Sequence, residues 1–158
     1  MTEAREVSLI FSHRKWNLVS WLIRRHQGAP YSHVCIGFYS NYFDLDLVYE
    51  ATGSGVTLLT YDNWLAKGNE VVGQKDFSLH NNHFRVKLVT AYSYLGKPYG
   101  FRTILGILFR GRKLGQDGKA SFICSELAYD FLEYELSALK KEGDRVTPKD
   151  LYNLVRVK

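Results

Sequence analysis

The sequence predicts an α+β fold in which a mostly antiparallel sheet is covered by helices. Three observations carry this. The chain opens on a run that alternates apolar and polar residues, the period of a strand, followed by a segment with helical spacing. Short β-rich runs then succeed one another through the first half, separated by turn residues. Helical spacing dominates the second half, so strands and helices are segregated rather than alternating.

Taken in order, residues 6–12 place Val7, Leu9 and Phe11 on one face and read as a strand. Residues 15–26 carry Trp16, Val19, Leu22 and Ile23 near helical spacing, and Gln27-Gly28-Ala29-Pro30 stops that helix. Residues 33–39 and 45–51 are β-rich, and Ser40-Asn41-Tyr42 between them reads as a hairpin loop. A turn over 53–55 leads into a strand over 56–60. Asp62 is placed to cap one helical turn through Leu65, and residues 71–79 form another strand. Asn82 then caps a helix with Phe84, Leu88, Tyr92 and Leu95 on one face, ended by Gly96-Lys97-Pro98. Residues 101–110 and 121–137 have helical patterns, the second the strongest in the chain. Thr147-Pro148-Lys149-Asp150 sets a capping residue before a proline at the first helical position, so a last short helix begins there.

The 158 residues, 46% hydrophobic and 23% charged, suit one globular domain spanning 1–158. The loop-like stretch 111–118 leaves too little chain beyond it for a second core. Two cysteines, Cys35 and Cys124, exclude a disulfide scaffold and a cysteine-rich zinc site, and no cofactor or metal is expected. No apolar run approaches the ~20 residues of a membrane-spanning helix. The amino terminus lacks the basic and apolar regions of a signal peptide, so the expected location is the cytoplasm, or the cell wall after release by lysis or phage-type delivery. The net charge of +5 comes from dispersed lysines and arginines with no basic-aromatic motif, and no nucleic-acid partner is expected.

What remains is the purpose of two lone cysteines. Cys124 lies in Ser-Phe-Ile-Cys-Ser-Glu, after a glycine-rich loop and at a helix start. A helix N-terminus offers unpaired N–H groups and partial positive charge, which favour thiolate and can hold an oxyanion. A cysteine nucleophile needs a base, and His33, at a strand start after a turn, is the best placed. The base needs an orienting group. Glu50, on the next strand, comes beside His33 if the two strands pair as a hairpin. Each residue has a plain alternative: a buried cysteine, a structural histidine and a solvated carboxylate. Tyr31 either donates to the oxyanion or fills the core at a turn. Cys35, two residues beyond His33 in a strand interior, has no helix dipole and reads as core. His80 and His83 form half a metal motif without a nearby acidic partner and read as a solvated loop, and Glu126 reads as a first-turn cap.

Five motifs occur in one order: Tyr31-Ser32-His33-Val34; Tyr49-Glu50-Ala51 followed by Gly55-Val56; Gly96-Lys97-Pro98-Tyr99; Cys124-Ser125-Glu126-Leu127; and Thr147-Pro148-Lys149-Asp150-Leu151. In these the chain resembles the circularly permuted branch of the NlpC cell-wall endopeptidase superfamily. That branch is papain-like in fold and includes YiiX-like hydrolases and, more distantly, lecithin retinol acyltransferase-like enzymes. Histidine precedes cysteine, as the permuted order requires. The resemblance implies Cys124 as nucleophile, His33 as base and Glu50 as orienting group in an acyl transfer. The expected activity is a cysteine peptidase or amidase acting on a peptide or a peptidoglycan fragment. A lipid-directed thioesterase, amidase or acyltransferase is the alternative, and a non-catalytic module keeping the fold is a third. The lipid alternative draws on residues 101–113, from Phe101 to Lys113, where Ile104, Leu105, Leu108 and Phe109 are flanked by Arg102, Arg110, Arg112 and Lys113. That segment is either a core helix ending in a basic loop or a peripheral membrane contact beside the site.

Overall fold

A computed structural model describes residues 4–100, 123–137 and 146–155. Five strands, β1 (Ala4–Arg14), β2 (His33–Ser40), β3 (Leu45–Thr52), β4 (Gly55–Thr60) and β5 (Asn69–His80), form one sheet in the order β4-β3-β2-β1-β5. Every neighbouring pair is antiparallel. The helices are α1 (Leu18–Gln27), α2 (Tyr61–Ala66), α3 (Asn81–Tyr94), α4 (Cys124–Phe131) and α5 (Pro148–Val155). This is the expected α+β arrangement. The expected helix over 101–110, the loop over 111–118 and the apolar-basic segment 101–113 lie outside the described residues.

Alternation along the central strands makes two apolar faces. Val7, Leu9 and Phe11 of β1 join Val34, Ile36 and Phe38 of β2 and Leu47, Tyr49 and Ala51 of β3 in the main core, with Leu127, Ala128 and Phe131 of α4. Their intervening neighbours Ile10, Cys35 and Val48 form a second, smaller cluster around Trp64 of α2. A strand buried on both faces reads as a continuous apolar run, which is why Val34-Cys35-Ile36 carries no polar alternation. α4 packs across β2 and β3, and touches α3 and α5.

Several boundaries differ from the sequence expectation, each for a local reason. The N-cap of α2 is Thr60, whose side chain accepts from the Asn63 N–H, and Asp62 falls inside the first turn. α3 begins one residue before Asn82, with the His80 ring accepting from the Asn82 N–H. Its buried residues are Phe84 and Ala91, whereas Tyr92 and Leu95 are exposed, so its inward face is narrower than the four-residue stripe. The described helical part of 121–137 is α4 alone, since residues 132–137 continue as turns. His83 does meet an acidic group, with Nδ1 at 3.6 Å from Oε1 of Glu135. The larger departure is α1: Trp16, Val19 and Leu22 point to solvent, and no residue of the helix joins either core cluster. Among the described residues no helix is long and apolar enough to cross a membrane.

A turn after α3 is fastened to the start of β4. The Val56 N–H donates to Lys97 O at 2.9 Å, and the Gly96 N–H donates to Val56 O at 2.9 Å. Gly55 makes this approach possible. Its φ is +98°, and a Cβ there would lie 2.7 Å from the Lys97 carbonyl oxygen. Gly55→Ala is therefore expected to cost about 2–3 kcal/mol from backbone strain and that contact, seen as a lower urea midpoint at unchanged slope. An unshifted midpoint would show that the turn gives way freely.

Candidate active site

The hairpin of β2 and β3 places a histidine and a carboxylate together. The registered pairing runs from Ile36↔Tyr49 to Ser40↔Leu45, and His33 and Glu50 lie at the far end of the same two strands. There His33 Nε2 stands 2.8 Å from Glu50 Oε2. Glu50 is buried, and its same oxygen also accepts from the indole Nε1–H of Trp64 at 2.9 Å. Trp64 is fully buried and held by α2, so the carboxylate is fixed from two directions. Burial pushes the Glu50 carboxyl up, but the hydrogen bond and charge of His33, the Trp64 N–H and the Lys67 charge outweigh it and hold the group below its ordinary value.

The third element is α4, which begins at Cys124. Its N-cap is Ile123, whose side chain has no acceptor and makes no capping hydrogen bond. Glu126 Oε2 instead reaches back to the Ile123 N–H at 2.9 Å, the first-turn capping role expected of it. Ser125 Oγ donates to Val146 O at 2.5 Å, tying the start of α4 to the segment that leads into α5. The Cys124 side chain lies close enough to the His33 ring to interact with it electrostatically. Burial pulls the His33 imidazole down, yet its interactions with Cys124 and Glu50 and the charges on those groups push it up to about 10. An imidazole so placed holds its proton across the neutral range beside the Glu50 carboxylate.

Cys124, His33 and Glu50, drawn from a helix start and two strands, therefore meet in one place. Tyr31 does not form part of the contacts described for that group. Its buried ring stacks on Tyr152 at 4.5 Å and meets Phe11 edge-on at 5.4 Å. Burial first, then Tyr152 and Asp150, raise its hydroxyl above the ordinary value. The tyrosine that interacts electrostatically with Cys124 is Tyr99. Burial, the Cys124 sulfur and the Glu126 and Glu50 carboxylates keep its phenol well above the usual range, so it stays a donor. Tyr99 follows the turn anchored on β4 through Gly55 and Val56, which explains its placement. Its sequence signal lies in Gly96-Lys97-Pro98-Tyr99, one of the five ordered motifs, in which no role is assigned to the tyrosine itself.

Cys35 is buried beside Val48 and Trp64, and both cysteines are free thiols. Burial, then the charges of Glu50 and Cys124, push the Cys35 thiol well above its ordinary value, which keeps it protonated and inert. A comparison with models of protein families finds no match to this chain, and a comparison with curated proteins finds none either.

Proposed function

We propose that this chain is a cysteine-dependent hydrolase of amide bonds, with a papain-like domain in the permuted order in which histidine precedes cysteine. One observation carries the reading: Cys124 at the start of α4 lies beside His33, which is hydrogen-bonded in turn to the buried, twice-held Glu50. This is a nucleophile, a base and an orienting group in series, the relation that acyl transfer requires.

The step runs as follows. The Cys124 thiolate adds to the substrate carbonyl carbon, forming a C–S bond and moving the carbonyl electron pair onto oxygen. The Cys124 backbone N–H, in the first turn of α4, and the Tyr99 hydroxyl are the donors at hand for that oxyanion. The His33 imidazolium gives its proton to the amide nitrogen as the C–N bond breaks, and the amine leaves. His33, now neutral, takes a proton from water, whose oxygen attacks the thioester carbon. The C–S bond breaks, the acid is released, and thiolate and imidazolium are restored. Glu50 keeps the ring oriented throughout and balances its charge.

The substrate that best fits the resemblance is a peptide, such as a peptidoglycan stem peptide. Incubating the protein with peptidoglycan fragments, with peptides and with fatty-acyl amides and esters, then measuring intact mass, tests the reading. Peptide cleavage with an acyl adduct mapped to Cys124 is the expected result. Turnover confined to acyl lipids would transfer the site to the lipid-directed reading, and no turnover with no adduct on any substrate would overturn catalysis.

A further inference from the structure

α1 is built inside out. Its buried residue is Ser20, flanked on the same side by the half-buried Arg24 and Gln27. Its outward side carries Leu18, Val19, Trp21 and Leu22, all exposed, and Trp16 just before it is fully exposed. A water-facing helix normally shows the reverse pattern. α1 is also the one described helix without extensive packing on another element. It is held by polar contacts instead: the Ser20 and Ser32 hydroxyls at 2.5 Å, the Arg14 N–H to Ser20 Oγ at 3.3 Å, and Lys149 Nζ to Gln27 O at 3.1 Å. Trp16 further adopts a left-handed backbone, φ 57°, which costs free energy in a bulky residue and here brings no burial in return.

Basic residues outnumber acidic ones around this helix. Arg14, Lys15 and Lys149 lie near it, Arg24 and Arg25 lie on it, it contains no acidic residue, and the nearby Glu70 is already paired with Lys15 at 2.6 Å and His13 at 2.9 Å. Exposed tryptophan and leucine rimmed by arginine and lysine is the composition of a helix that lies in the interface of an anionic bilayer. A second copy of the chain is a poorer occupant, because a two-fold contact would bring the two basic rims together.

We propose that Trp16 and the outward face of α1 form a docking surface for an anionic lipid membrane. The docking stands apart from catalysis, but the two are neighbours. Residues 28–32 run from α1 directly to His33, and the Ser20–Ser32 contact fixes the helix to that segment. Joined to the hydrolase reading, docking brings the His33 end of the sheet to the bilayer surface.

The test is co-flotation of the full chain with vesicles of phosphatidylcholine alone or mixed with phosphatidylglycerol. The mixed vesicles are expected to bind at least about tenfold more tightly, and less so as salt is raised. The double variant Trp16→Ser, Trp21→Ser, altered at exposed positions and checked by circular dichroism, is expected to lose about tenfold or more of that binding while keeping any cleavage of soluble peptides. The Cys124→Ala chain is expected to bind as the wild type does, which separates docking from chemistry. Wild type that ignores mixed vesicles, or a double variant that binds equally well, overturns the proposal. So does a wild-type dimer that the double variant converts to monomer by light scattering, which would assign the face to a second copy.

Discussion

Cys124→Ala is expected to abolish turnover, with a fall in kcat of about 10⁴-fold or more, since removing the nucleophile of a cooperating set forfeits the set. The fold survives the change. Cys124 sits at the start of α4, and its truncation deletes a single sulfur, a loss of about 1–2 kcal/mol readable as a small shift in the urea midpoint. The companion measurement needs no substrate. At neutral pH iodoacetamide is expected to modify Cys124 much faster than Cys35. Cys124 lies beside the His33 imidazole, which keeps its proton at neutral pH. That of Cys35 is buried against Val48 and Trp64 and held protonated. Labelling that is slow and equal at the two positions, or a Cys124→Ala chain that still turns over, would refute the assignment of the nucleophile.

The parts of this site that the sequence exposes are those that rest on backbone chemistry. A cysteine at a helix start is recognisable because the N-terminal N–H groups belong to any helix. His33 and Glu50 are recognisable as neighbours because a short loop forces the strands that carry them into a hairpin. Trp64 and Tyr99 are not recognisable in this way. Each arrives through a tertiary contact, α2 folding over Glu50 and the Gly96 turn docking on Gly55, that no local spacing encodes. Tyr31 is the more visible tyrosine because it lies two residues from His33, but it precedes β2 rather than belonging to it, and its ring joins Phe11 and Tyr152. The same limit governs α1. Helical periodicity reports that one face is apolar, not which way that face points. Here the polar pair Ser20 and Ser32 turns it outward.

The strongest dependence on pH should come from the pair formed by His33 and Glu50. The folded His33 is pushed up to about 10 from an ordinary 6.5, so its contribution to stability is complete below 6.5 and is lost as the pH climbs through about 10. Glu50 is lowered from its ordinary 4.5, so its contribution is complete above 4.5 and is lost as the pH falls through its lower folded value. Between these limits the charged arrangement persists. Because His33 must donate a proton to the leaving amine, the alkaline limb of kcat should lie near pH 10 rather than near 6.5. Glu50→Gln is expected to move that limb to lower pH by one unit or more and to cut kcat by about 10²–10⁴-fold, since the amide keeps the shape but not the charge that holds the imidazolium. Glu50→Ala should be worse for the fold, costing about 3–5 kcal/mol, because it strands the His33 ring and the Trp64 N–H without their shared acceptor. An alkaline limb that stays where it was in Glu50→Gln would show that Glu50 does not hold the proton on His33, and would reduce it to a partner for Trp64 alone.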